Sequence, residues 1–237
     1  MFDKTMPSPP PITREQLTGN ARLREETRWQ TASHQSAVHL VEHEGQRYVV
    51  KTPHGRGIRH WLTAWLIRRE YTIYQHLCDV TGIPPCYGLT PEGWLVLGFV
   101  PAHSFRGNPP ANRSHYFAEL RALLQTLHAH GVAHGDLKNK DNLMIAENST
   151  PFIIDFGIAM RWRPGFHPLN HFLFRLARRL DYSAWAKHKY RGRSETVAEE
   201  DKAFMRRGPL ERGWHHLRNG IQRLRGRSTS NVWRPKK

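Results

Sequence analysis

The chain has 237 residues, 38% of them hydrophobic, which is enough to bury a core and excludes a wholly disordered protein. Its formal charge of +16 is lopsided: residues 1–155 hold 16 Lys and Arg against 14 Asp and Glu, and residues 156–237 hold 20 against 6. Such a field favours an anionic partner, namely nucleic acid, acidic lipid headgroups or phosphorylated glycans, while the two cysteines, Cys78 and Cys86, make no CxxC pair, fit a reducing compartment and do not suggest a metal site.

Residues 1–12 are Pro-rich and read as a flexible N-terminus. MFDKTMPSPPP interrupts any apolar segment, so no signal peptide is expected. No apolar run reaches the length of a transmembrane helix. A cytoplasmic setting, with peripheral contact at the inner membrane, is the expectation. AVHLVEHEGQRYVV, 37–50, predicts two strands joined at Glu44-Gly45 and ending on Lys51. TPHGRGIRH, 52–60, is a loop. WLTAWLIRREYTIYQHL, 61–77, places Leu62, Trp65, Leu66, Ile73 and Leu77 at helical spacing and predicts a helix with that stripe inward.

TGIPPCYG reads as a turn, and GWLVLGFV, 93–100, as a buried strand. Asn112 is placed to cap a helix whose stripe is Leu120, Leu123, Leu124 and Leu127 and which Gly131 closes. HGDLKNKDNLMI, 134–145, follows as a loop, and NLMIAE and PFIIDF predict a strand pair. The basic remainder is helical. In HPLNHFLFRLARRL, Phe172, Leu173, Leu176 and Leu180 share one face, with Arg175, Arg178 and Arg179 on others. That apolar face suits packing into a small lobe or contact with anionic lipid. The order of elements predicts an α+β fold of two lobes with a cleft between them. The expected boundaries are 13–100 for the β-rich N-lobe, 101–225 for a small helical C-lobe, and 226–237 for a basic tail.

Four elements in this order resemble the protein-kinase-like superfamily: YVVK ending on Lys51, Glu70 in the next helix 19 residues on, HGDL, and IDFG 19 residues after it. The resemblance covers roughly residues 30–160. It implies ATP and Mg2+. Lys51 would hold the phosphates and Glu70 would hold Lys51. Gly98, Phe99 and Val100 would line the nucleotide, and Asp155 and Asn142 would bind the metal. Asp136 would orient the attacking hydroxyl, and Lys138 would neutralise the transferring group. Phosphoryl transfer needs this set because catalysis is mostly positioning and charge neutralisation, and a hard cation takes oxygen ligands.

The sequence departs from that pattern in several places. No GxGxxG precedes the hairpin, where QTASHQSAVH, 30–39, offers only small residues. The loop is one residue longer than the family's, so Asp141 stands where the metal-binding Asn usually falls. Asn142, 13 residues before Asp155, restores the family distance, and Asp141 remains a second candidate. Gly135 replaces the usual arginine, which implies no phosphorylated activation-loop switch. No APE segment follows DFG. These traits resemble the bacterial lipopolysaccharide-core kinases, which act on Kdo or heptose. They imply an anionic glycolipid or phosphorylated glycan as acceptor and peripheral contact with an anionic membrane. RIO- and Bud32-type atypical kinases share the short HGDL loop and are the second reading. A non-catalytic, basic pseudokinase scaffold binding nucleic acid is the third.

Overall fold

The computed structural model describes residues 8–19, 36–191 and 197–205. The expected basic tail at 226–237 and the small-residue stretch at 30–35 lie outside the described residues. Short helix α1 (Arg14–Gly19) follows a proline segment. Ile12 and Leu17 pack against Val41, Tyr48, Val50, Trp94 and Val96 on one face of the first sheet, so the flexible N-terminus expected through residue 12 does not include Ile12.

β1 (Ala37–His43) and β2 (Gln46–Thr52) form the expected hairpin, paired from Ala37 with Thr52 to His43 with Gln46. Its two-residue turn puts Glu44 and Gly45 at φ 51° and 76°, the backbone that matches strand twist and that glycine adopts without strain. Helix α2 (Ile58–His76) begins earlier than the 61–77 reading. Its inward residues are Thr63, Leu66, Ile67, Glu70, Ile73 and Tyr74. Leu62 and Trp65 are exposed, against expectation. The Thr63 hydroxyl donates to the His54 carbonyl and accepts from the His54 N–H, which turns the Thr63 side of the helix inward. β3 (Cys86–Leu89) lies within the stretch read as a turn, where an irregular register at Gly88 obscures its alternation. With β4 (Leu95–Gly98) it completes an antiparallel sheet ordered β1-β2-β4-β3.

The second lobe contains β5 (His103–Ser104), α3 (Arg113–Ala129), β6 (Val132–Ala133), β7 (Leu143–Ile145), β8 (Pro151–Ile153), β9 (Met160–Arg161) and α4 (Pro168–Lys189). A short helix, α5 (Lys202–Met205), ends the described chain. Asn112 caps α3 as expected, its side chain accepting from the His115 N–H at 3.0 Å. β7 and β8 are the expected strand pair. α4 packs on α3, where the Trp185 indole donates to the Phe117 carbonyl at 2.8 Å.

The buried face of α4 is Phe174, Leu176, Ala177, Asp181, Ala184, Trp185 and His188. Phe172, expected inward, is exposed, and Leu173 and Leu180 are half-buried. Phe174 takes the inward place because it meets Trp162 edge-on at 5.4 Å and packs with Ala133 and Ala177. Arg175, Arg178 and Arg179 are exposed. One apolar core runs from Val49, Leu95 and Leu97 through Ile73 and Leu124 to Phe156 and Trp185, so the two lobes share it.

Candidate active site

β2 and α2 bring Lys51 and Glu70 together because the strand end and the helix pack on one sheet face. The Lys51 ammonium donates to Glu70 Oε1 at 2.7 Å and to Asp155 Oδ1 at 3.2 Å. One buried cation thus serves two carboxylates. Burial alone would lower the Lys51 pKa, but Asp155 and Glu70 outweigh it and hold the ammonium charged. Burial would likewise raise the Asp155 pKa, yet Lys51, His134 and the hydrogen bonds from Lys51 and the Gly157 backbone bring it below the ordinary carboxylate value. Glu70 is raised, because burial and the neighbouring Asp155 exceed what Lys51 supplies. Asp155 sits at φ 64°, a left-handed backbone that is costly for a non-glycine residue and collects at functional sites.

The HGDL loop is built from below. His134 is fully buried; its Nδ1 accepts from the Asp136 N–H and its Nε2–H donates to the Ile154 carbonyl at 3.0 Å. That tautomer joins the loop to the strand leading into Asp155. The His134 ring meets Phe156 at 5.0 Å, and Phe156 meets Tyr74 of α2 at 5.2 Å. Asp181 on α4, also fully buried, accepts from the His134 N–H and the Gly135 N–H, both at 2.8 Å, and from His128 Nε2 at 3.0 Å. His188, two turns on, donates to the Leu137 carbonyl at 2.9 Å. Gly135 stands at φ 76°, where a side chain strains the backbone.

Asn142 and Asp141 separate cleanly. Asn142 is buried and donates to the Asp136 carbonyl at 3.1 Å, while its Oδ1 accepts from Asn139 at 3.2 Å. Asp141 Oδ1 instead accepts from Arg106 Nε at 2.7 Å and Ser104 at 3.2 Å, and Arg106 also reaches Asn139 Oδ1 at 3.0 Å. Lys140–Asn142 forms a 3-10 turn, which Arg106 braces through Asp141 and Asn139. Lys138, two residues after Asp136, is exposed. Gly98, Phe99 and Val100 lie where the sheet passes into the second lobe. The Gly98 N–H goes to the Pro85 carbonyl and the Phe99 N–H to the Arg47 carbonyl.

The chain is similar to the crystal structure of the Rio2 kinase from Chaetomium thermophilum in complex with ADP/Mg2+ and phosphoaspartate. The TM-score is 0.51 at 19% identity, over 79% of this chain and 64% of that one. A second crystal structure of the same kinase gives a TM-score of 0.52 at 19% identity, over 79% and 65%. The fold is protein-kinase-like. The chain spans just under two thirds of the length of these neighbours. No protein-family model and no curated protein matches the sequence.

Within this kinase-like fold, the residues present suit a hard divalent cation. Asp155 is held ionised and partly open to solvent, and the Asn142 amide oxygen lies on the same loop as Asp136. Among the described residues no cluster of three or more His, Cys, Asp or Glu side chains is placed to hold a metal. Sequence reasoning missed Asp181, His188, Arg69 and Arg106. Asp181 carried a signal, being the only acidic residue between Asp155 and Glu195. Arg69 carried none. Its guanidinium donates to the Gly157 carbonyl at 2.8 Å and to the Ala159 carbonyl, tying α2 to the segment after DFG.

Proposed function

We propose that the protein is an Mg-ATP-dependent phosphotransferase of the atypical kinase type. The observation that carries this reading is the Lys51–Glu70–Asp155 assembly at 2.7 and 3.2 Å, tied through His134 and the Ile154 carbonyl to the loop that holds Asp136 and Asn142. Lys51 holds the nucleotide phosphates and Glu70 fixes Lys51 in place. Asp155 and Asn142 would hold Mg2+, which would supply positive charge against the transferring phosphoryl group. Asp136 orients the acceptor hydroxyl and takes its proton as the new O–P bond forms and ADP leaves. Lys138 would neutralise charge on the transferring group.

Two acceptor classes follow from the sequence, and the similarity to Rio2 favours a RIO-type kinase over a sugar kinase of the lipopolysaccharide core. The test is ATP turnover with purified protein and a panel of protein and saccharide acceptors. Asp136→Ala lowers turnover about 100-fold or more, as expected for loss of a group that positions the nucleophile. Asp155→Asn weakens Mg-dependent nucleotide binding. Wild-type turnover by Asp136→Ala sinks the reading. Transfer to a saccharide and to no protein returns the acceptor to the glycan class.

A further inference from the structure

Among the described residues, nothing fully covers the outer face of the first half of α2. Ile58, Trp61, Leu62 and Trp65 fall at i, i+3, i+4 and i+7 and are 87%, 68%, 38% and 49% exposed. That spacing puts all four on one side of the helix, away from the inward Thr63, Leu66 and Ile67. A second apolar ridge opens α4, where Phe166, Leu169 and Phe172 are 92%, 70% and 45% exposed. The two ridges belong to segments joined at Arg69, which lies one helical turn after Trp65 and holds the Gly157 and Ala159 carbonyls.

Charge follows the same two segments. From Thr52 to Arg69 the chain carries four arginines and no Asp or Glu; from Gly157 to Leu180 it carries five and none. Arg56, Arg59 and Arg68 are exposed beside the first ridge, and Arg161, Arg163 and Arg175 beside the second.

We infer that the two ridges form a docking surface for an anionic lipid bilayer. Exposed apolar patches rimmed by charge mark interaction sites rather than ordinary surface. Indole rings settle at the headgroup level of a bilayer, where one edge meets hydrocarbon and the N–H meets water. Exposed arginines are attracted to a surface of lipid phosphates. A second copy of the chain fits less well, because it brings like charge against like charge. A polyanion such as RNA matches the arginines but gives Ile58, Leu62 and Leu169 nothing apolar to enter. No described helix is long and apolar enough to cross a membrane, so the attachment is peripheral. Arg175 adds charge beside the second ridge, and α2 supplies the inserted side chains. The inference is independent of the nucleotide chemistry.

Co-sedimentation of the full chain with vesicles tests it. Phosphatidylcholine vesicles carrying phosphatidylglycerol bind the protein, and pure phosphatidylcholine vesicles do not. Added salt weakens the binding. Trp61→Ala with Trp65→Ala lowers partitioning about tenfold or more, with an unchanged urea midpoint because both side chains are outside the core. Arg56→Gln with Arg59→Gln lowers it and flattens the salt dependence. Asp136→Ala binds vesicles as the wild type does, which separates this surface from the phosphotransfer site. Equal binding to both vesicle types overturns the inference, as does wild-type partitioning by the double tryptophan variant. Self-association that the tryptophan substitutions abolish reassigns the face to a second copy. RNA binding that they weaken reassigns it to nucleic acid.

Discussion

Replacing Asp181 by Asn tests whether the α4 carboxylate shapes the HGDL loop. One oxygen accepts the His134 N–H at 2.8 Å and His128 Nε2 at 3.0 Å; the other accepts the Gly135 N–H at 2.8 Å. An amide keeps one acceptor and presents an NH2 group at the other position. The Gly135 N–H then faces a donor inside the fold, which costs about 1–3 kcal/mol. Asp181→Ala removes the acceptor from both backbone N–H groups and doubles that to about 2–6 kcal/mol, a large part of the roughly 5–15 kcal/mol that holds a typical domain. The Asn variant therefore folds while the loop loosens. Three measurements check this: urea unfolding, hydrogen exchange at the His134 and Gly135 amides, and Mg-ATP turnover. Gly135 protection falls about tenfold or more. Turnover falls by a similar factor, while nucleotide affinity on the Lys51 side stays within about twofold. An Asn variant with wild-type amide protection and wild-type turnover refutes the reasoning.

Lys51→Ala leaves Glu70 and Asp155 as neighbouring carboxylates without their shared cation, so ADP titration shows nucleotide affinity reduced at least about tenfold. Glu70→Gln, which keeps a hydrogen bond to Lys51, loses less. Arg106→Ala releases Asp141 and Asn139 from their brace and raises the Mg2+ concentration needed for half-maximal turnover; since the Arg106 side chain is more than half exposed, the urea midpoint stays nearly unchanged. Asp201 is fully buried beneath Lys189 and Tyr190, both at 2.6 Å, and Arg121 at 3.5 Å. Burial would raise its pKa, but Lys189, Tyr190 and Arg121 bring it below the ordinary 3.8. A lowered carboxylate contributes stability above its unfolded pKa and loses it as pH falls. Asp201→Asn is thus destabilised by about 3 kcal/mol in urea at pH 7. The gap narrows as pH falls below about 4; a gap that stays constant into acid contradicts this account.

By itself the sequence determined the local elements and the kinds of chemistry on offer. Glu44-Gly45, Asn112 and Gly131 mark a turn and two helix ends through backbone rules that act within a few residues, and the structure has them there. The order of Lys51, Glu70, HGDL and DFG was legible because each type sits beside an apolar strand or helix. The tertiary structure alone decided which side of each helix faces inward. α2 has apolar residues around much of its circumference, and the turn of Thr63 toward His54 left Trp61 and Trp65 outside. It also gave Asn142 and Asp141 different partners, since Arg106 lies 35 residues from Asp141 along the chain and no local pattern pairs them. Asp181 is the clearest case. Its carboxylate acts on backbone N–H groups 46 and 47 residues away, and every residue but proline offers an N–H, so nothing in the spelling of the loop names its partner.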